Sequence, residues 1–161
     1  MAENIEGQVG QNGNGQQQFA LQRIYIKDLS FEVPLGAAAY DRPWKPTVQV
    51  ELNTSAAAVD DNRHEVVLTI TLKAKLEEEV AFLIEVQQAG VFHVRGVEGE
   101  ALRQVLMIAC PNILFPYARE TIDAMALKGS FPPVMLQPVN FEALYVQARQ
   151  QAEQQAAGNL Q

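Results

Sequence analysis

Between Val80 and Val94 apolar residues recur at every second position: Val80, Phe82, Ile84, Val86, Phe92 and Val94 share one parity, while Glu85, Gln87 and His93 hold the other. A strand sends successive side chains to opposite faces, so this stretch has one face for a core and one for solvent or a partner. Leu83 breaks the polar parity beside Glu85. It is either scattered surface, the reading that periodicity favours, or a docking point for a basic, partly apolar peptide. The apolar junction Ala109–Glu120 (ACPNILFPYARE) follows, interrupted by Pro111 and Pro116, and neither stretch carries an arrangement of catalytic groups.

Three further strand candidates precede Val80. Phe19–Val33 sets Leu29, Phe31 and Val33 against Asp28, Ser30 and Glu32, but its first half is apolar on both sides, with Ile24 and Ile26 opposed to Tyr25. Either a second subunit covers the extra face, or a bulge switches parity. The connection from Pro34 to Pro46 is too long and apolar for a hairpin, and it keeps Trp44 either in the core beneath a loop or as one wall of an apolar groove. Thr47–Leu52 points Val48, Val50 and Leu52 inward; beyond the turn signal Asp60-Asp61-Asn62, His64–Leu76 does the same with Val66, Leu68, Ile70 and Leu72. Glu77–Glu79 marks the reversal before Val80. The expected sheet is antiparallel with one wet face.

The later segments read as helices. Glu98–Cys110 places Leu102, Val105, Leu106 and Ala109 on one stripe, and Met107, Ile108 and Cys110 make its end apolar all round, as in a helix buried on more than one side. Pro111 is expected to stop it, Pro116 to start a second helix through Tyr117–Gly129, and Gly129 to supply the cap. Asn140 is a plausible N-cap for a third helix carrying Phe141, Leu144, Tyr145 and Ala148. The fold class is therefore α+β, a four-stranded antiparallel sheet with helices packed on one face. Residues 1–18, rich in Gly, Gln and Asn, read as a disordered arm, 19–148 as the domain, and 149–161 as a frayed or disordered tail.

The residues offer little chemistry. His64 and His93 sit on different strands with no Cys or carboxylate at ligand spacing, so a metal site is not expected. Gly96 and Gly99 lack the strand–loop–helix context of a phosphate loop, and Glu98, Glu100 and Glu77–Glu79 look like solvated charges at helix starts and turns. Cys110, the single cysteine, cannot form an internal bridge and reads as a buried thiol. A net charge of −7 works against nucleic acid or anionic membranes as partners. The start has no signal-peptide pattern and no later segment is apolar for long enough to span a bilayer, which predicts a cytoplasmic protein. What stands out is surplus apolar material at Trp44, Ile113–Phe115, Tyr117 and Phe131–Leu136. At about 25 cal/mol per Å2, a few hundred Å2 left bare favours self-assembly by several kcal/mol, and leftover grooves would suit extended unfolded chains.

The segments Arg23–Pro34 (RIYIKDLSFEVP), Phe82–Phe92 (FLIEVQQAGVF), Ala109–Glu120 and Pro138–Leu144 (PVNFEAL) closely resemble SecB, the bacterial protein-export chaperone family, in the same order along the chain. The resemblance implies a cytoplasmic homotetramer, a dimer of dimers, that binds unfolded precursors of exported proteins and delivers them to the SecA ATPase, with no ATP or cofactor of its own. It carries SecA contact onto Asp28, Glu32, Leu83 and Glu85, which reverses the preference for scatter at Leu83. It associates Phe82, Ile84, Val86 and Gln88 with tetramer integrity, and suggests Trp44, Val48, Val50, Leu52, Phe115 and Tyr117 for the client groove. Some SecB-like proteins serve toxin–antitoxin systems, which is the alternative reading. Two departures stand out: Glu77 occupies a reversal where relatives often carry Gly, and the N-terminal arm is longer than usual.

Overall fold

The structure, a computed structural model, describes residues 16–160; most of the arm expected to be disordered, residues 1–15, lies outside the described residues. Four strands, β1 (Gln18–Glu32), β2 (Thr47–Ala58), β3 (Arg63–Leu76) and β4 (Glu79–Arg95), form one antiparallel sheet in the order β1-β4-β3-β2. Because β1 and β2 are the two margins, the Pro34–Pro46 connection, with a 3-10 turn at Gly36–Asp41, must carry the chain across the whole sheet. Trp44 travels with it and lies over Phe82 and Phe131, with ring centroids 6.1 and 5.0 Å away.

Two bulges resolve the parity conflict in β1. Register shifts between Leu21 and Arg23 and between Ile26 and Asp28 each insert one residue, and each flips the alternation. Phe19 and Leu21, then Ile24 and Ile26, then Leu29 and Phe31 consequently all fall on the helix-facing side, so the bulges account for the switches of parity along β1, while Tyr25 stays on the face opposite Ile24 and Ile26. The helices leave Phe19, Leu21 and Ile26 exposed all the same.

The helical region departs from expectation. The chain is helical without a break from α1 (Gly99–Gln104) through a π turn (Val105–Ala109) into α2 (Cys110–Lys128), so Pro111 does not stop the helix and Pro116 does not start another. Leu106, Cys110, Leu114, Ala118, Ile122 and Ala126 are buried at four-residue spacing and seat this rod on the sheet. An interior proline costs about 3 kcal/mol, whereas each large apolar side chain fully buried contributes about 1.5–3 kcal/mol, so the stripe wins. The π turn, closed by Cys110 N–H donating to the Val105 carbonyl, is wide enough to spare the Pro111 ring a clash with the preceding turn. Gly90 on β4 makes room for the rod, since a Cβ there would sit 3.1 Å from Leu114 Cδ2.

α2 ends in a Schellman arrangement: Phe131 N–H donates to the Ala126 carbonyl and Ser130 N–H to that of Leu127, at 2.9 and 3.0 Å. The left-handed residue is Ser130 (φ 63°), not Gly129 (φ −82°). Gly129 is needed for a different reason, because a Cβ there would lie 2.6 Å from the Phe31 ring. Asp123 pins the next loop by accepting from Val134 and Met135 N–H groups, and Asn140 caps α3 (Phe141–Gly158) by accepting from Ala143 N–H at 3.0 Å. α3 runs helical through Gly158, into the segment whose composition reads as a frayed tail.

Candidate functional site

The sheet's outer face gathers four of the residues singled out from sequence. Glu32 pairs with Leu83, Ser30 with Glu85 and Asp28 with Gln87, so Asp28, Glu32, Leu83 and Glu85 occupy three successive rows across β1 and β4. Leu83 and Glu85 are half-buried, while Asp28 and Glu32 are exposed. Glu85 accepts from Thr71 Oγ1 at 3.3 Å, across the β3–β4 ladder. Farther along the same face, Glu65 accepts from Lys27 Nζ at 2.6 Å and from the Tyr25 hydroxyl. Those hydrogen bonds hold the Glu65 carboxyl below its usual range, and the bond to Glu65 pushes Tyr25 up to about 12.

On the helix-facing side the groove residues split into groups. Val48, Val50 and Leu52 lie in line on β2, opposite Ala74, Leu72 and Ile70, which are fully buried. The same face of β2 reaches past the helical cover, leaving Val48 40% and Val50 37% exposed. Ala74 pairs onward to Phe82, the ring on which Trp44 stacks, so Trp44 and Val48 flank one row of the sheet. Phe115 is buried and packs edge-on against Phe141, 6.1 Å between centroids. Tyr117 is exposed on α2.

The wall opposite β2 is α3, which the 3.6-residue pattern presents as a packed helix. Only Phe141 is buried; Leu144, Tyr145 and Ala148 face clefts instead. One cleft lies between Leu52–Thr54 of β2, Met107 and α3, and another continues over Ser55 and Ala56 toward Leu102 and Leu106. Glu100 holds α3 in place, accepting from Tyr145 Oη at 2.6 Å and Arg149 Nη1 at 2.7 Å. These partners keep its carboxyl below the usual range, first through the Tyr145 hydrogen bond, and make Glu100 an anchor where charge pattern alone suggests a solvated helix start. The clue in sequence was an Arg and a Tyr four residues apart on one face of α3.

Phe82, Ile84, Val86 and Gln88 are all buried within the chain itself, under the helical rod. Gln88 lies among apolar residues and donates from Nε2 to the Tyr25 carbonyl at 3.1 Å. Cys110 is buried beneath the rod, and desolvation pushes its thiol up to about 12, which makes it a poor nucleophile. His64 points to the helix-facing side, opposite Phe92, whereas His93 lies on the outer face with Nε2 3.3 Å from Gln18 Oε1; the two share no site. Among the described residues no group of three or more His, Cys, Asp or Glu is placed to hold a metal ion, and no helix is long and apolar enough to cross a membrane.

Comparison with known proteins agrees with this picture. The family model described as preprotein translocase subunit SecB matches residues 12–152. The chain is similar to the protein-export protein SecB of Marinobacter nauticus, 53% identical over 98% of this chain and 95% of that one. It is likewise similar to that of Hahella chejuensis, 61% identical over 86% of this chain and 88% of the relative. Among solved structures it shares its fold, at 18% identity and a TM-score of 0.60, with a SecB-like chaperone of Mycobacterium tuberculosis in complex with a ChAD peptide from the HigA1 antitoxin; the likeness covers 75% of this chain and 87% of that one.

Proposed function

This chain belongs to the preprotein translocase subunit SecB family, a family of chaperones and not of enzymes, and we propose from that premise how its surfaces divide the work of protein export. It is a protein-export chaperone. It holds unfolded precursors without ATP or any cofactor, keeps them competent for translocation, and passes them to SecA in the cytoplasm as a homotetramer, a dimer of dimers.

The observation that carries the holding step is the margin formed by β2. Natural sheets blunt their edges with bulges and charges, as β1 does here with two bulges and with Arg23, Lys27, Asp28 and Glu32. β2 does neither: its ladder to β3 runs for 12 residues with no register shift, and Glu51 is its one charged residue. Such a margin can take an extended client as a fifth strand, through backbone hydrogen bonds that read no sequence. Val48, Val50 and Leu52, flanked by Trp44, then receive the client's large side chains. The outer-face set Asp28, Glu32, Leu83 and Glu85 offers SecA an acidic plate with one apolar contact, separate from the groove. Phe82, Ile84, Val86 and Gln88 act on assembly through the seating of the helical rod, since they are not themselves at the surface.

The test is aggregation of a chemically unfolded exported precursor diluted from denaturant in the absence of nucleotide. Stoichiometric tetramer should suppress the rise in light scattering; scattering as high as in its absence would end the proposal.

A further inference from the structure

The outer face that gathers Asp28, Glu32, Leu83 and Glu85 is not uniformly acidic. On β3 Lys73 stands directly opposite Leu83 on one side and Gln49 on the other. Lys75 follows two residues on, opposite Val80 and Thr47. Ala74 and Leu76 are buried against the helices, so both lysines point to the outer face, Lys73 exposed and Lys75 half-buried.

These cations stand among acids without pairing with them. Thr71 is opposite Glu51 on β2 and Glu85 on β4, which puts both carboxylates on the diagonals of Lys73, about 7–8 Å away. Among the described residues neither lysine enters an ion pair, and Glu79, at the reversal beyond Lys75, is held by Arg42 instead. The rows of Asp28, Glu85 and Leu83 cross β3 at Thr69, Thr71 and Lys73, and Lys75 comes next. Successive rows are therefore about 7 Å apart, the interval at which an extended peptide presents alternate side chains to one face.

An acidic plate alone attracts any polycation, and selection among basic segments needs a repulsive element. Lys73 supplies one. It lies about 5 Å from Leu83 across the ladder, inside the screening length of about 8 Å at physiological salt, so a basic group laid over Leu83 or beyond meets an unscreened like charge.

We propose that this face docks an extended segment of mixed charge whose sheet-facing side chains run basic, basic, apolar, acidic. The basic groups meet Asp28 and Glu85, the apolar one meets Leu83, and the carboxylate is set against Lys73 and Lys75. The two lysines thereby reject a uniformly basic segment and fix the direction of the accepted one, its acidic end toward the β3–β4 reversal. This selection rests on the reading of the outer face as a docking plate.

Three capped seven-residue peptides test both, each with Lys first and third, Leu fifth, Ser at the even positions, and Asp, Ser or Lys seventh. Fluorescence anisotropy measures their binding to the full chain at about 0.15 M salt, where the field of the whole protein is largely screened. The Asp peptide should bind about three- to tenfold tighter than the Lys peptide, with the Ser peptide between, although the chain's net charge of −7 favours the opposite order. Lys73→Thr with Lys75→Thr should reverse the order, and Glu85→Lys should weaken all three. Equal affinities in the unaltered protein, a tighter Lys peptide, or an order that survives the double substitution overturns the selection; loss of binding in Glu85→Lys then leaves the plate standing. Binding of all three untouched by Glu85→Lys, or no binding at all, sinks the plate reading and the selection with it.

Discussion

Glu77, Ser130 and Met135 hold positive φ among the described residues, and two of them are held there by identifiable bonds. Ser130 is fixed by the capping hydrogen bonds of α2 and Met135 by the Asp123 carboxylate. Glu77 (φ 55°) stands in the exposed reversal between Leu76 and Glu79, a place that suits glycine. Glu77→Gly should therefore raise stability by about 0.5–1 kcal/mol, read as an upward shift of the thermal midpoint; an unchanged or lower midpoint would show the turn unstrained. Gly129→Ala should do the opposite, costing about 1–3 kcal/mol, because its new methyl meets the Phe31 ring. At the outer face, the depressed carboxyl of Glu65 contributes stability at pH above its unfolded value, lost as pH falls through the lower folded one. Tyr25, raised to about 12, contributes stability fully present below its unfolded value near 10, lost as pH rises through 12. Removing the hydroxyl with Tyr25→Phe should flatten both limbs of the stability–pH curve. Parity alone placed Glu85 and Leu83 on that face, because each residue of a regular strand declares its side; Gly129 does cap α2, as its place after Lys128 suggests, but the reason it must be glycine, a ring arriving from β1, is not legible in the local sequence.

The prolines show where reading by element fails. Pro111 and Pro116 are strong local stop signals, and they lose to a buried stripe from Leu106 to Ala126 that becomes visible only once β3 and β4 lie beneath it. β2 fails in the other direction: its last residues, Ser55–Ala58, lack alternation, yet the full-length β3 beside them extends the strand to Ala58. The third helix was legible from its cap and its spacing, but its role as a wall was not, since nothing in the pattern tells a residue facing a cleft from one facing a core. Glu100→Ala should release that wall. Amide hydrogen exchange in α3 should quicken several-fold beyond Phe141, with exchange in α2 unchanged; equal protection in the variant would mean that Phe141 alone holds α3. The depressed carboxyl of Glu100 also predicts that α3 loosens as pH falls through the acid range, when Glu100 takes up a proton.

As a whole, the chain keeps Asp28, Glu32, Leu83 and Glu85 on one side of the sheet and Val48, Val50 and Leu52 on the other, which permits independent tests of each. Glu85→Lys should weaken SecA binding at least tenfold at low salt and leave client holding intact; parallel loss of both would contradict the division of surfaces. Trp44→Ala should weaken client binding several-fold, and because the indole packs on Phe82 and Phe131, the variant's thermal midpoint must be measured alongside. The π turn gives this architecture an unusual form of modularity. Because an i→i−5 turn spends about one residue more than an i→i−4 turn on a similar rotation, excising one amino acid between Val105 and Ala109 would restore ordinary helical pitch and leave Gly99–Gln104 close to its present orientation over the seated half. Cys110 to Lys128 would keep their berth and Glu100 and Leu102 their neighbours, but the Pro111 ring would then meet a tighter preceding turn, so a one-codon change in length would load strain onto one residue and leave both halves of the rod in place.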